Sequence, residues 1–131
     1  MNDRLAMLAS FLASASLLLL MTSVLAADEG FRFEIVDEVA TVGDNALTVR
    51  LIDAEGNSVP RAVIYALRLD MAPDGMAAMT APLQPVEELD DGLYRFRADL
   101  MMEGNWRLQI AAKIQGETET VTAELPLEVL P

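Results

Sequence analysis

Apolar and polar residues alternate with a period of two along most of the chain from Phe31 onward. Phe31, Phe33 and Ile35 alternate with Arg32 and Glu34. Leu47, Val49 and Leu51 alternate with Thr48 and Arg50. Val63, Tyr65, Leu67 and Leu69 form one set against Ala62, Ala66 and Arg68. Tyr94 and Phe96 alternate with Arg95 and Arg97, and Trp106, Leu108, Ile110 and Ala112 with Arg107, Gln109 and Lys113. Val121, Ala123, Leu125, Leu127 and Val129 alternate with Thr120, Thr122, Glu124 and Glu128. Successive side chains of a strand point to opposite faces, so each set predicts a half-buried strand. Six strands result, with room for a short seventh near Leu83–Glu88.

Turn residues separate these runs. Asp53-Ala-Glu-Gly56-Asn57 reads as a hairpin turn in which Gly56 supplies a positive φ. Asp90-Asp91-Gly92 precedes one strand, and Gln115-Gly116-Glu117 joins two others. Pro60 and Pro126 suit edges or strand ends, because proline cannot donate to a ladder. Short strands with one apolar face each, joined by frequent turns, predict an all-β fold: an immunoglobulin-like antiparallel β-sandwich of about seven strands. Tyr94 follows the Asp91-Gly92 turn two residues before Phe96, which resembles the tyrosine corner of such domains. Trp106 reads as a core anchor, with ligand stacking as the alternative.

The first 26 residues stand apart from this pattern. Arg4 makes a weak positive start, partly offset by Asp3, and Leu5 to Leu20 is almost wholly apolar or small. Val24-Leu25-Ala26 puts small residues at the −3 and −1 positions of a cleavage site. Residues 1–26 therefore read as a secretory signal peptide. The domain is then 27–131, about 105 residues, which makes one domain with a modest core. The expected location is periplasmic or secreted; the alternative is a protein anchored in the membrane by an uncleaved N-terminal helix. No cysteine is present, so neither a lipid-anchored cysteine nor a disulfide contributes.

Charge narrows the partners. Nine Lys and Arg stand against 21 Asp and Glu, for a net charge of −12. Nucleic acid and anionic membrane surfaces require clustered Lys and Arg, so neither is the expected partner. A cation or a basic protein face suits the field of such a chain, and solubility alone is the bland alternative. Histidine is also absent, which removes the usual general base along with the thiol nucleophile. No glycine-rich phosphate loop is present, and no small-molecule substrate is indicated. The expectation is a non-enzyme; a secreted enzyme using paired carboxylates is the remote alternative. Asp53, Glu55 and Asn57 resemble part of a calcium loop but lack its later bidentate glutamate, so a hairpin turn explains them better. Glu87, Glu88, Asp90 and Asp91 read as a solvated loop, or as a docking patch for a basic partner.

One segment carries candidate chemistry. Met71-Ala-Pro-Asp-Gly-Met76-Ala-Ala-Met79 spaces three methionines around the turn-forming Pro73-Asp74-Gly75. Without thiolate or imidazole, the soft donors are thioethers, and among common biological metals these suit Cu(I) best. Thioether needs no deprotonation, so such binding depends little on pH. Met101 and Met102, just before Gly104, lie in the turn between the Tyr94 and Trp106 strands, where they reach the same end of a sandwich. Asp70 and Asp74 add negative potential, and Gly75 permits the turn. Three readings stay open on residue chemistry: copper ligation, a partner-binding surface, and core packing by methionine.

From Gly43-Asp44-Asn45-Ala46-Leu47-Thr48-Val49 through Asp53…Gly56-Asn57-Ser58-Val59-Pro60, the chain has a recognisable pattern. It continues with Leu69-Asp70-Met71…Met76-Ala-Ala-Met79-Thr80-Ala81-Pro82, then Gly92-Leu93-Tyr94-Arg95-Phe96 and Met102-Glu103-Gly104-Asn105-Trp106. This pattern, over roughly Gly43 to Val129, resembles the FixH-like and YtkA-like domain proteins. The resemblance implies a small exported or membrane-anchored β-sandwich. Some members are associated with copper handling, heavy-metal efflux systems or assembly of haem-copper oxidases. This chain departs from part of the family in having no histidine beside the methionine loop. Carried over residue by residue, the implied metal ligands are Met71, Met76 and Met79, with Met102 next. The implied role is Cu(I) binding or delivery to a copper donor or acceptor protein. The alternative is a non-metal module docking on a membrane transporter or oxidase through the same loop.

Overall fold

The computed structural model describes residues 30–131. Residues 1–26, read above as a signal peptide, lie outside the described residues. The described chain forms nine strands: β1 (Arg32–Ile35), β2 (Val39–Thr41), β3 (Gly43–Ile52), β4 (Val63–Met71), β5 (Met76–Thr80), β6 (Glu87–Glu88), β7 (Leu93–Leu100), β8 (Gly104–Lys113) and β9 (Thr120–Leu130). They build two sheets, ordered β1-β3-β7-β6 and β2-β9-β8-β4-β5. The architecture is an immunoglobulin-like β-sandwich, as the alternation predicts. It is not wholly antiparallel: β2 crosses from the first sheet to the second and pairs parallel with β9.

The predicted inward faces meet in one core. Leu47, Val49 and Leu51 of β3 and Tyr94 and Phe96 of β7 close on Leu69, Trp106 and Leu108 of the facing sheet. Trp106 is fully buried, which makes it the expected anchor. Its full burial is worth roughly 3 kcal/mol, at the upper end for a large side chain.

Three local departures have physical causes. On β4 the register with β8 shifts between Ile64 and Ala66, so Tyr65 is an inserted bulge residue. Period two breaks there: Leu67 packs on the core, whereas Val63 and Tyr65 are 61% and 57% exposed. The segment Met71–Met79, expected as a loop, is a one-turn 3-10 segment at Ala72–Asp74 followed by β5. Tyr94 does not make a local corner. Its hydroxyl donates to the Val59 carbonyl at 2.8 Å and accepts from the Ala62 N–H at 3.0 Å, tying β7 to the β3–β4 connection.

That tie yields a prediction. Tyr94→Phe leaves both backbone groups without their partner, and its expected cost is about 1–2 kcal/mol. Urea unfolding reads this as a lower midpoint with an unchanged slope.

The turn chemistry is as expected. Asp53 Oδ1 accepts from the Glu55 N–H at 3.0 Å and the Asn57 N–H at 2.8 Å, which accounts for the Asp-x-Glu-x-Asn spacing as a turn. Pro126 lies within β9 over a stretch where β9 is an edge, because β2 pairs only from Glu128 to Leu130.

Candidate metal centre

β4 ends at Met71, and the Pro73 ring sets the φ of the 3-10 turn that follows. Gly75, at φ +78°, closes that turn in the left-handed region, with its N–H donating to the Ala72 carbonyl at 2.9 Å. The chain then reverses into β5, where Met76 stands opposite Met71 in the ladder. The β7–β8 turn packs beside this hairpin. Asp74 is the link: Oδ2 accepts from the Asn105 N–H at 2.8 Å and Oδ1 from Asn105 Nδ2 at 3.1 Å. These bonds, to a backbone and a side-chain donor of one residue, hold the Asp74 carboxyl below its ordinary value. Trp106 Nε1 donates to the Met102 carbonyl at 3.1 Å, fixing the other side of the turn.

Gly104 sits at the centre of this junction. At φ +137°, its position has no room for a side chain: a Cβ there would lie 2.5 Å from Asp74 Oδ2 and 2.7 Å from Met71 Cε. The Met71 methyl therefore lies directly against the β7–β8 turn. The two methionine-bearing motifs, about 30 residues apart in sequence, form one corner of the sandwich.

The five methionines of the domain are placed unequally. Met71 is 1% exposed and belongs to the core, and Met79 is half-buried and packs against it. Met76 and Met102 are each 38% exposed and Met101 is 53% exposed. Val42 and Leu130 are also exposed at this end, where the Val42 N–H donates to the Leu130 carbonyl at 2.9 Å. Nothing in the alternation marks these two; only the crossing of β2 beside β9 puts them there.

The two carboxylates have different surroundings, and only Asp70 departs from expectation. Asp70 is fully buried on the outer face of the five-stranded sheet. Its Oδ2 accepts from Arg68 Nε and Arg107 Nη2, each at 2.9 Å, and its Oδ1 from the Ala72 N–H at 3.1 Å. Burial pushes this carboxyl up, but the hydrogen bonds from Arg107, Arg68 and Ala72 together outweigh it and hold its pKa at about 2. Two guanidinium groups thus compensate its charge. Asp74 has no cationic partner among the described residues and keeps its negative potential at the methionine corner. No group of three or more His, Cys, Asp or Glu side chains converges among the described residues, so oxygen and imidazole donors build no metal cage there. The soft side-chain atoms of this corner are the methionine thioethers.

One solved structure shares the fold. The chain is similar to a DUF4426 family protein from Pseudomonas aeruginosa PAO1, with a TM-score of 0.50 and 10% identity over 77% of this chain and 89% of that one. It is also similar to the Lin-41 filamin domain, with a TM-score of 0.45 and 20% identity over 74% of this chain and 90% of that one. No curated protein matches the sequence. A family model described as YtkA-like matches residues 25–111, from before β1 to late in β8, and so spans both methionine-bearing motifs. The chain belongs to the YtkA-like family.

Proposed function

We propose that this YtkA-like domain is an exported, non-catalytic protein that binds Cu(I) at its methionine corner and hands it to another protein. One observation carries the reading. Exposed Met76 stands opposite the buried Met71 in the ladder, and the Met71 methyl reaches the turn that carries exposed Met102, in a chain with no histidine or cysteine. Met76 and Met102 are the accessible ligands, Met71 the inner one, and Met79 supports the edge from the core side. Thioether sulfur favours Cu(I) over harder ions, and the uncompensated Asp74 adds attraction for a cation. Export after cleavage near Ala26 puts the site outside the cytoplasm.

The test is a Cu(I) titration of the exported chain under reducing, anaerobic conditions, in competition with a calibrated chelator. Met76→Leu/Met102→Leu keeps size and apolarity while removing sulfur. Stoichiometric binding that falls by at least about tenfold in the variant is expected, with little change between about pH 5 and about pH 8. Failure of the native chain to compete overturns the reading.

A second reading is favoured by Val42 and Leu130, exposed apolar residues at the same end of the sandwich as Met101 and Met102. On that reading the same end docks a transporter or oxidase without metal, and the leucine variant retains the interaction.

A further inference from the structure

Among the described residues most sheet edges carry a device against strand addition, and two do not: β5, whose five residues Met-Ala-Ala-Met-Thr are uncharged, and part of β4. β1 is short and charged, with Arg32 and Glu34 on it; β2 has three residues and β6 has two, both glutamate. The free stretch of β9 holds Glu124 and Pro126. β4 is different. β5 pairs with it only at Asp70 and Met71, so among the described residues Val63 to Leu67 have β8 on one side and no strand on the other. That stretch, Val-Ile-Tyr-Ala-Leu, contains no charge and no proline. Unguarded edges recruit strands, and natural sheets guard the edges they do not use.

The backbone there is oriented for pairing. The Leu69 carbonyl accepts from the Ala81 N–H at 3.1 Å, so it faces away from β8. Leu67, two residues earlier on the same strand, has the same orientation, and its N–H and carbonyl face the open side. An open groove of about 620 Å³ lies alongside, between β4 and the crossing segment that carries Leu83, Pro85 and Val86. Glu88 borders it at the Ala62 end, where its Oε2 accepts from the Arg61 N–H at 2.9 Å.

We propose that the β4 edge from Val63 to Leu67 is a docking site for an extended segment of a partner polypeptide. The segment is apolar at alternate positions, to fill the groove, and basic at the end that meets Glu88. Backbone pairing supplies affinity and alternate side chains supply specificity. A second copy of this chain is the poorer occupant, since it brings another net charge of −12 to the same acidic border. The site is separate from the methionine corner and does not depend on copper.

The probe is a synthetic peptide, acetyl-Lys-Lys-Val-Thr-Val-Thr-Val-amide, added to isotope-labelled protein purified from the exported fraction. Saturable amide shifts are expected at Val63–Leu69 and Leu83–Val86, with none at Met76 or Met102. Exchange of the Leu67 amide should slow by about tenfold at saturation, and a probe N-methylated along one edge should not bind. Val63→Lys/Tyr65→Lys changes two exposed residues and should weaken the probe by about tenfold or more while leaving the fold and Cu(I) binding intact. The proposal is overturned if saturable shifts at Leu67 are absent, if they centre on another edge, or if the lysine variant binds the probe equally. Sedimentation showing that the protein itself dimerises through this edge, with loss in the lysine variant, would overturn it in favour of a second copy.

Discussion

Gly104→Ala should destabilise the domain by about 3 kcal/mol, lowering Tm by about 15 °C. Two costs combine. The backbone at φ +137° is glycine territory, and any other L residue there is strained. The new methyl also meets Asp74 Oδ2 and the Met71 methyl at distances no real Cβ tolerates. Relief requires Asp74 to leave Asn105 and Met71 to leave its place in the core, and either movement opens the corner. Calorimetry of the variant measures the loss. Gly116→Ala is the control: it shares a positive φ of +89° but has no atom within 4 Å of its Cβ position. Its expected loss is about 1 kcal/mol, the backbone cost alone. Equal losses in the two would show that the Gly104 junction is not packed as described.

Asp70→Ala should cost about 2–3 kcal/mol. Breaking a buried ion pair commonly costs more, but Arg68 and Arg107 are 50% and 29% exposed in their side chains and regain water. The loss also releases the Ala72 N–H and frees Arg68, whose Nη2 donates to the Ala77 carbonyl at 2.8 Å and so braces β5. The pH dependence has a definite sign. The Asp70 pKa falls from 3.8 to about 2 on folding, so its contribution is fully present above the unfolded value and fades as pH drops toward 2. The contribution lost across that window is about 2 kcal/mol. Urea midpoints of the native chain and Asp70→Asn, measured at neutral pH and near pH 2, should differ at the first and converge at the second. A constant difference would place the stabilisation elsewhere.

Much of the sandwich is legible because period-two alternation directly reports which residues face a core. Trp106, Leu108, Ile110 and Ala112 are all buried, as their spacing requires. The alternation misleads at β4, where the Tyr65 bulge moves two apolar residues outward while preserving an apolar-looking sequence. Bulges leave no compositional mark. The parallel β2–β9 pair is equally invisible, because three residues are too few to show a period. At the candidate site, the spacing of Met71, Met76 and Met79 around Pro73-Asp74-Gly75 correctly signals a reversal. It does not reveal which methionine is inside. Met71 continues the inward phase of β4 after Leu67 and Leu69, which in hindsight is its signal. The Asp74–Asn105 link and the clearance at Gly104 depend on tertiary approach alone. Asp70 looks like an attractive charge for a cation, yet arginines on its own strand and on β8 neutralise it.

The central claim is that thioethers of the methionine corner hold Cu(I). X-ray absorption at the copper edge of the Cu(I)-loaded native chain tests it most directly, because it reports the donor atoms themselves. The account predicts a shell of sulfur, with no imidazole scattering, that thins or vanishes in Met76→Leu/Met102→Leu. A shell of oxygen alone, or a sulfur shell unchanged in that variant, would contradict it.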